Sequence, residues 1–257
     1  MKFHIAIPAR FGSSRLPGKP LLELAGKPMI QHVYERALES NVGEVVVATD
    51  DERVRLAAED FGAEVCMTAT THRSGSDRLA EVAEQRGWDD DDIVVNLQGD
   101  EPLTPASVLK QVADDLASRP EASIATLCTP IHSATQLFDP HVVKVARDAK
   151  GYALYFSRAA IPWERDAFDV EAHPEVKACY RHIGLYAYRV GFLRRFTELE
   201  PCTLEMLEQL EQLRALYHGE KIYVGEALEV PGHGVDTPED AKTVEALLLA
   251  RQGGIRG

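Results

Sequence analysis

At 257 residues the chain fits one large domain, or one domain carrying a smaller insert. Hydrophobic residues make up 45% and charged residues 27%, enough apolar material for a core and too much for global disorder. A formal charge of -13 argues against non-specific binding to nucleic acid or to an anionic membrane, since phosphate backbones reward net positive surfaces.

The chain opens on a strand-like run, Phe3 to Ile7, that ends at Pro8. From Met1 to Leu22 there is no Asp or Glu, while Lys2, Arg10, Arg15 and Lys19 all fall there, so a local anion site inside an acidic protein is expected. Met29, Val33 and Ala37 recur at a spacing of four, which predicts a helix from Pro28 to Glu39. Glu44 to Thr49 reads as a buried strand. Asp50 offers an N-cap for a helix through Asp60, closed by Gly62. Ile93 to Leu97 is another buried strand and Ala106 to Leu116 another helix. The run Asp89 to Asp92 before that strand reads as a solvated turn. Strands alternating with helices imply right-handed crossovers and a doubly wound α/β fold with a mostly parallel sheet.

After Pro130 the pattern changes. VVKVA, YALYF and HIGLYAYR are strand-like with few helices between them, which predicts a smaller, more antiparallel, β-rich insert over 131–225. Leu204, Leu207, Leu210 and Leu213 predict one helix from Leu204 to Tyr217. A last helix starts near Pro238, capped by Thr237. The flanking intervals, 1–130 and 226–257, form the α/β unit, and the GGIRG tail is expected to fray. Cys66, Cys128, Cys179 and Cys202 form no CxxC pair and read as free thiols. No apolar stretch has signal-peptide or bilayer-spanning length, so a reducing, cytoplasmic location is expected.

Three segments carry chemistry. The loop from Pro8 to Pro20, directly after the first strand, has glycines and serines for close backbone approach and Arg10, Arg15 and Lys19 for charge. It is neither a Walker A loop nor GxGxxG: five residues separate Gly12 from Gly18, and Pro20 stands where a magnesium-binding hydroxyl would be. Gln98-Gly99-Asp100-Glu101 ends a hydrophobic strand, where a carboxylate could hold magnesium against nucleotide phosphates; the same acids could simply cap the following helix. Asp236, in a glycine-rich turn before the last helix, has the same two readings. Ser74, Gly75 and Ser76 precede a helix and suit either base recognition or plain capping. Arg158 or His182 could bind a carboxylate, and Glu211 with Gln212 could meet sugar hydroxyls; His182 also reads as a core histidine.

IPARFGSSRLPGKPL, HRSGSDRLAEV, NLQGDEPL, YALYFSRAAIPW, RHIGLYAYR, LEQLRALYHGEKI and GVDTPEDA follow one another in that order. Together they resemble the 3-deoxy-manno-octulosonate (KDO) cytidylyltransferase family, the CMP-KDO synthetases of Gram-negative bacteria. The resemblance implies transfer of CMP from CTP to KDO, with release of pyrophosphate, in lipopolysaccharide synthesis. It implies that Pro8, Ala9, Arg10, Ser13 and Lys19 hold the nucleotide, and that Arg73, Ser74, Gly75 and Ser76 border the cytosine. Asp100 and Asp236 would bind Mg2+. Arg15, Gln98, Arg158, His182, Tyr186, Glu211 and Gln212 would surround the sugar acid. Lys19, Arg10, Asp100 and Asp236 would carry catalysis, and the insert would serve sugar binding and homodimerisation. The sequence departs from the expected pattern at Arg73, where Gln or Asn is expected, and at Ser76, where Thr is expected. Two rivals remain: a cytidylyltransferase for an amino analogue of KDO or a sialic acid, and a silent nucleotide-binding module. Retention of Lys19, Asp100 and Asp236 argues against silence.

Overall fold

The computed structural model describes residues 1–12, 16–72, 74–165, 176 and 178–254, with side chains through Arg251. The first half runs β1 (Phe3–Pro8), a short hairpin of β2 (Glu23–Leu24) and β3 (Lys27–Pro28), α1 (Met29–Glu39), β4 (Glu44–Thr49), α2 (Glu52–Asp60), β5 (Glu64–Met67), α3 (Gly75–Gln85), β6 (Ile93–Asn96) and α4 (Ala106–Ala117). The second half runs β7 (Ile124–Pro130), α5 (Ala134–Phe138), β8 (Lys144–Arg147), β9 (Ala153–Ser157), β10 (Tyr180–Arg189), α6 (Val190–Phe196), α7 (Thr203–Glu208), α8 (Gln212–Tyr217), β11 (Ile222–Glu226) and α9 (Pro238–Gly254).

Side-chain alternation sorts the core into two layers. Ile5, Ile7, Val45, Val47, Ile93 and Val95 face α1 and α4, where Ile30, Val33, Val108 and Val112 meet them. The intervening Ala6, Val46, Ala48 and Val94 face Leu79 and Val82 of α3 and Phe192 and Phe196 of α6. Burial on both faces is what fills β1, β4 and β6 with apolar residues. The strand order is β11-β7-β10-β6-β1-β4-β5, with β8 and β9 extending from β10. β1 is parallel to β4 and β6, β4 to β5, and β7 to β11. β10 enters antiparallel between β6 and β7, and β8 and β9 continue the antiparallel pairing off its other end. The doubly wound, mostly parallel α/β fold is as expected. Of the strands in 131–225, β10 lies within the main sheet and β11 at its edge, while β8 and β9 extend off β10.

Four local expectations are corrected. Asp51, not Asp50, caps α2, its Oδ1 accepting from Arg53 N at 2.9 Å; Asp50 is drawn instead to Arg78. Pro28 ends β3, and α1 begins one residue later. The helix expected over Leu204 to Tyr217 is two helices, because Gln209 takes a left-handed conformation (φ 52°) and leaves Leu207 76% exposed. The Asp89 to Asp92 run is only partly a solvated turn, since Asp92 is buried. All four cysteines are buried.

Asp92 closes the lower edge of the sheet. It accepts from Lys2 N at 2.6 Å and Asp89 N at 3.2 Å, and His4 Nε2 lies 3.4 Å away, its ring stacked on Trp88. Burial opposes its ionisation, but those hydrogen bonds outweigh burial and hold its pKa below the usual carboxylate range. A depressed folded pKa stabilises above the unfolded value and loses that contribution as pH falls through the folded one. Asp92→Asn should therefore cost about 1–3 kcal/mol at pH 7. The gap from the parent, measured by urea unfolding, should narrow below about pH 4.

Candidate active site

The strand order reverses between β1 and β6. The chain moves from β1 outward through β4 to β5, then returns to place β6 on the other side of β1. At such a switch point the loops leaving the two carboxyl ends part and open a crevice. The crevice here has a volume of about 380 Å³ and is lined by Pro8, Ala9 and Arg10 after β1, by Gln98, Gly99 and Asp100 after β6, and by Lys19, Gly75 and Asp236 among others.

Its centre is a shared cation. Lys19 sits on a single 3-10 turn, Lys19–Leu21, entered through left-handed Gly18 (φ 73°). Its buried ammonium donates to Asp100 Oδ2 at 2.6 Å and to Asp236 Oδ1 at 3.0 Å. Burial works against this charge, but the two carboxylates prevail and raise the lysine pKa above its usual value. Asp236 comes from the turn ahead of α9, and Val235 N donates to Asp100 O at 2.9 Å to hold that turn against the β6 loop. Neither Asp100 nor Glu101 caps α4, whose cap is Pro105. Burial, with the Asp100 charge beside it, pushes Glu101 up to about 7. The two aspartates thus converge on one cation, as a site for a divalent ion with phosphate ligands requires. Among the described residues no third Asp, Glu, His or Cys completes an all-protein metal cage, so substrate oxygens would have to supply the remaining ligands.

The second wall is the start of α3. Ser74 and Asp77 form a reciprocal capping box. Arg10 crosses from the β1 loop and donates from Nη2 to His72 O at 2.7 Å and Ser74 O at 3.1 Å, fixing the guanidinium without cancelling its charge. The capping reading of this segment holds, since Ser74 caps the helix, and Gly75 beside it lines the crevice. Ser13, Arg15 and Arg73 lie outside the described residues.

The residues expected around a sugar acid are drawn together only in part. Tyr186 pairs across the sheet with Asn96, whose Oδ1 accepts from Gln98 Nε2 at 3.4 Å, so β10 brings Tyr186 to the β6 side of the crevice. His182 is one turn of pleat away, 5.4 Å from the Tyr186 ring, with Nε2 3.0 Å from Thr126 Oγ1. Burial lowers His182 to about 3, so it is neutral at pH 7 and acts as a hydrogen-bonding imidazole, not as the cation a carboxylate partner requires. Arg158 donates to Glu208 O at 2.6 Å and Pro140 O at 3.0 Å, and Lys144, fully buried, donates to Arg158 O, Asp139 O and Val142 O. Glu211 follows the break at Gln209 and lines a second hollow of about 590 Å³ with Ser74 and Arg214. Its Oε2 accepts from Ser76 Oγ at 3.0 Å, and burial raises its pKa. Gln212 opens α8 and is buried.

Sequence reasoning missed Asn96 and the buried Arg78. A polar residue ending VVN and a cation four residues before Val82 on a buried helical stripe were the available signals.

A cytidylyltransferase family model matches residues 5–222. The 3-deoxy-manno-octulosonate cytidylyltransferase of Thioalkalivibrio sulfidiphilus (strain HL-EbGR7) is 60% identical over 250 residues, covering 97% of this chain and all of the relative. This chain belongs to the cytidylyltransferase family. A second such cytidylyltransferase, from Idiomarina loihiensis, is 54% identical and covers 96% of this chain and 98% of its own. The solved structure of CMP:2-keto-3-deoxy-manno-octonic acid synthetase in complex with CTP superposes with a TM-score of 0.88 at 44% identity, over 98% of this chain and all of that one. A nucleotidyl transferase from Methanothermobacter shares the fold at 17% identity, with a TM-score of 0.61 over 97% of this chain and 99% of its own.

In this cytidylyltransferase the crevice depends on Gly99, where a Cβ would stand 2.8 Å from Pro8 O. Gly99→Ala should therefore push the β1 and β6 ends apart and cost about 1–3 kcal/mol in urea unfolding. Gly12→Ala, which meets nothing within 4 Å, should stay within about 0.5 kcal/mol of the parent.

Proposed function

We propose that this chain transfers CMP from CTP to 3-deoxy-D-manno-octulosonate, giving CMP-KDO and pyrophosphate. The observation that carries the reading is the Lys19 ammonium shared by Asp100 and Asp236 in the crevice at the switch point. That arrangement offers both a cation for phosphate oxygens and two carboxylates for a metal held with them.

The anomeric hydroxyl of KDO attacks the α-phosphorus in line, a new O–P bond forms as the hydroxyl proton is released to solvent, and the bond to the pyrophosphate oxygen breaks. Lys19 and Arg10, with Ser13 of the same loop, orient the triphosphate and meet the charge that builds on its oxygens. Asp100 and Asp236 would hold Mg2+, which when bound supplies further positive charge to those oxygens. Pro8, Ala9 and the Arg73 to Ser76 segment border the cytosine. On the sugar side, Gln98, Tyr186 and neutral His182 offer hydrogen bonds, while Arg15 and Arg158 are the cations for the carboxylate. Arg158 would have to exchange a carbonyl partner for it. Glu211 and Gln212 approach from the break between α7 and α8. We place the protein in the cytoplasm as a homodimer, with the 131–225 interval serving sugar and partner; among the described residues no helix is long and apolar enough to cross a membrane.

The test is turnover with CTP and a panel of sugar acids. KDO should exceed its amino analogue and sialic acids in kcat/KM; preference for another acid would reassign the sugar, and no turnover with any would leave a silent binding module. Asp100→Asn should lower kcat by about 100-fold, on the scale of losing one transition-state charge contact. The same variant should need more Mg2+ for half-maximal rate, and near-normal kcat at saturating Mg2+ would remove Asp100 from the metal site.

A further inference from the structure

Arg78 is the largest fully buried side chain in the structure, and its position is not where stability alone would put a charge. It lies on the buried stripe of α3 among Leu79, Val82 and Ala83, with its side chain at 0% exposure. Its Nη2 donates to Asp50 Oδ2 at 2.7 Å, and Nη1 donates to Thr68 Oγ1. Its Nε finds no partner among the described residues. A buried ion pair rarely adds net stability over a well-packed apolar substitute, and one with an orphaned donor less so. What it does provide is a fixed geometry.

The two anchors explain what is fixed. Asp50 directly follows β4, whose Ala48 O accepts from Ala9 N at 2.8 Å beside the crevice. Thr68 directly follows β5, and its N and Oγ1 both donate to Thr49 O. Arg78 therefore ties the first turn of α3 to the carboxyl ends of two neighbouring strands. That turn carries Gly75, which lines the crevice, and Ser76, which is 1% exposed and bonded to Glu211. Arg10 grips the preceding segment from the opposite side through His72 O and Ser74 O. The segment has one cation above it and one beneath it.

We infer that Arg78 and Asp50 are positioning residues for nucleobase selection: their buried pair sets the distance of the Ser74–Ser76 segment from the nucleotide, although neither residue lines the crevice. This rests on the proposal that the segment borders the cytosine. Recognition of a base edge by small hydroxyl and backbone groups depends on placement, because a shift of about 1 Å in a bound group can cost a hundredfold in rate. Cytosine and uracil differ by exchange of a donor for an acceptor, so a loosened segment loses discrimination before it loses phosphate binding.

The experiment measures kcat/KM for CTP and for UTP, KM for KDO and the melting temperature in Arg78→Lys, Asp50→Asn and Ser76→Ala. Arg78→Lys keeps one charge contact and loses the fork; Asp50→Asn keeps the shape and loses the charge. Both should reduce the CTP to UTP ratio by about tenfold while KM for KDO stays within about threefold of the parent. A lower melting temperature with an unchanged ratio would make the pair merely structural and overturn the inference. If Ser76→Ala moves the ratio and the other two do not, the inference fails while the base-segment proposal stands. If none of the three moves it, the base-segment proposal itself is wrong. Should Arg78→Lys not fold, the isosteric Asp50→Asn decides alone.

Discussion

One ammonium joins three separate stretches of chain. Lys19 reaches Asp100 across 81 residues of sequence and Asp236 across 217, and each stretch enters the crevice from a different element. Two carboxylates facing one another would repel, and the ammonium between them supplies the opposite charge that lets them converge. Their convergence orients the α9 turn, sets the mouth of the crevice, and leaves Glu101 as the neighbouring acid that burial drives towards neutrality.

The core of this arrangement was legible in the sequence because it rests on local rules. Apolar runs bounded by Gly and Pro marked β1, β4 and β6, and a ligand loop must follow the first strand of such a sheet. Lys19, Asp100 and Asp236 all stand near glycines, but the two acids also read as turn or cap residues, and it is the family resemblance that groups the three. The misreadings came where a residue's partner is distant. Asp50 and Asp51 are equivalent as caps until Arg78, buried from α3, claims the first. The break at Gln209 breaks no propensity rule that the leucine spacing could reveal, and it turns Leu207 outward. The two readings of His182 depend on burial, which lowers its pKa to about 3 and leaves a neutral imidazole whose N–H can still donate a hydrogen bond.

The two hollows are connected through side chains that the sequence assigned to different substrates. Ser76 was placed with the base and Glu211 with the sugar, yet they hydrogen-bond directly. Glu211 thus ties the start of α3 to the junction of α7 and α8. The two hollows therefore share a wall built from the start of α3 and the α7–α8 junction.

The antiparallel entry of β10 also bears on how the chain can be assembled. β6 ends at Asn96 and β7 starts at Ile124, close in sequence, but β10 separates them in the sheet. A nascent chain emerging from the ribosome through β7 has β1, β4, β5 and β6 in hand and β6 with an open edge. That edge is satisfied only when residues 180–189 are available, so the sheet closes late and through contacts of high sequence separation. Until then β6, wholly apolar except for Asn96, presents unpaired backbone, the feature that invites mispairing between chains.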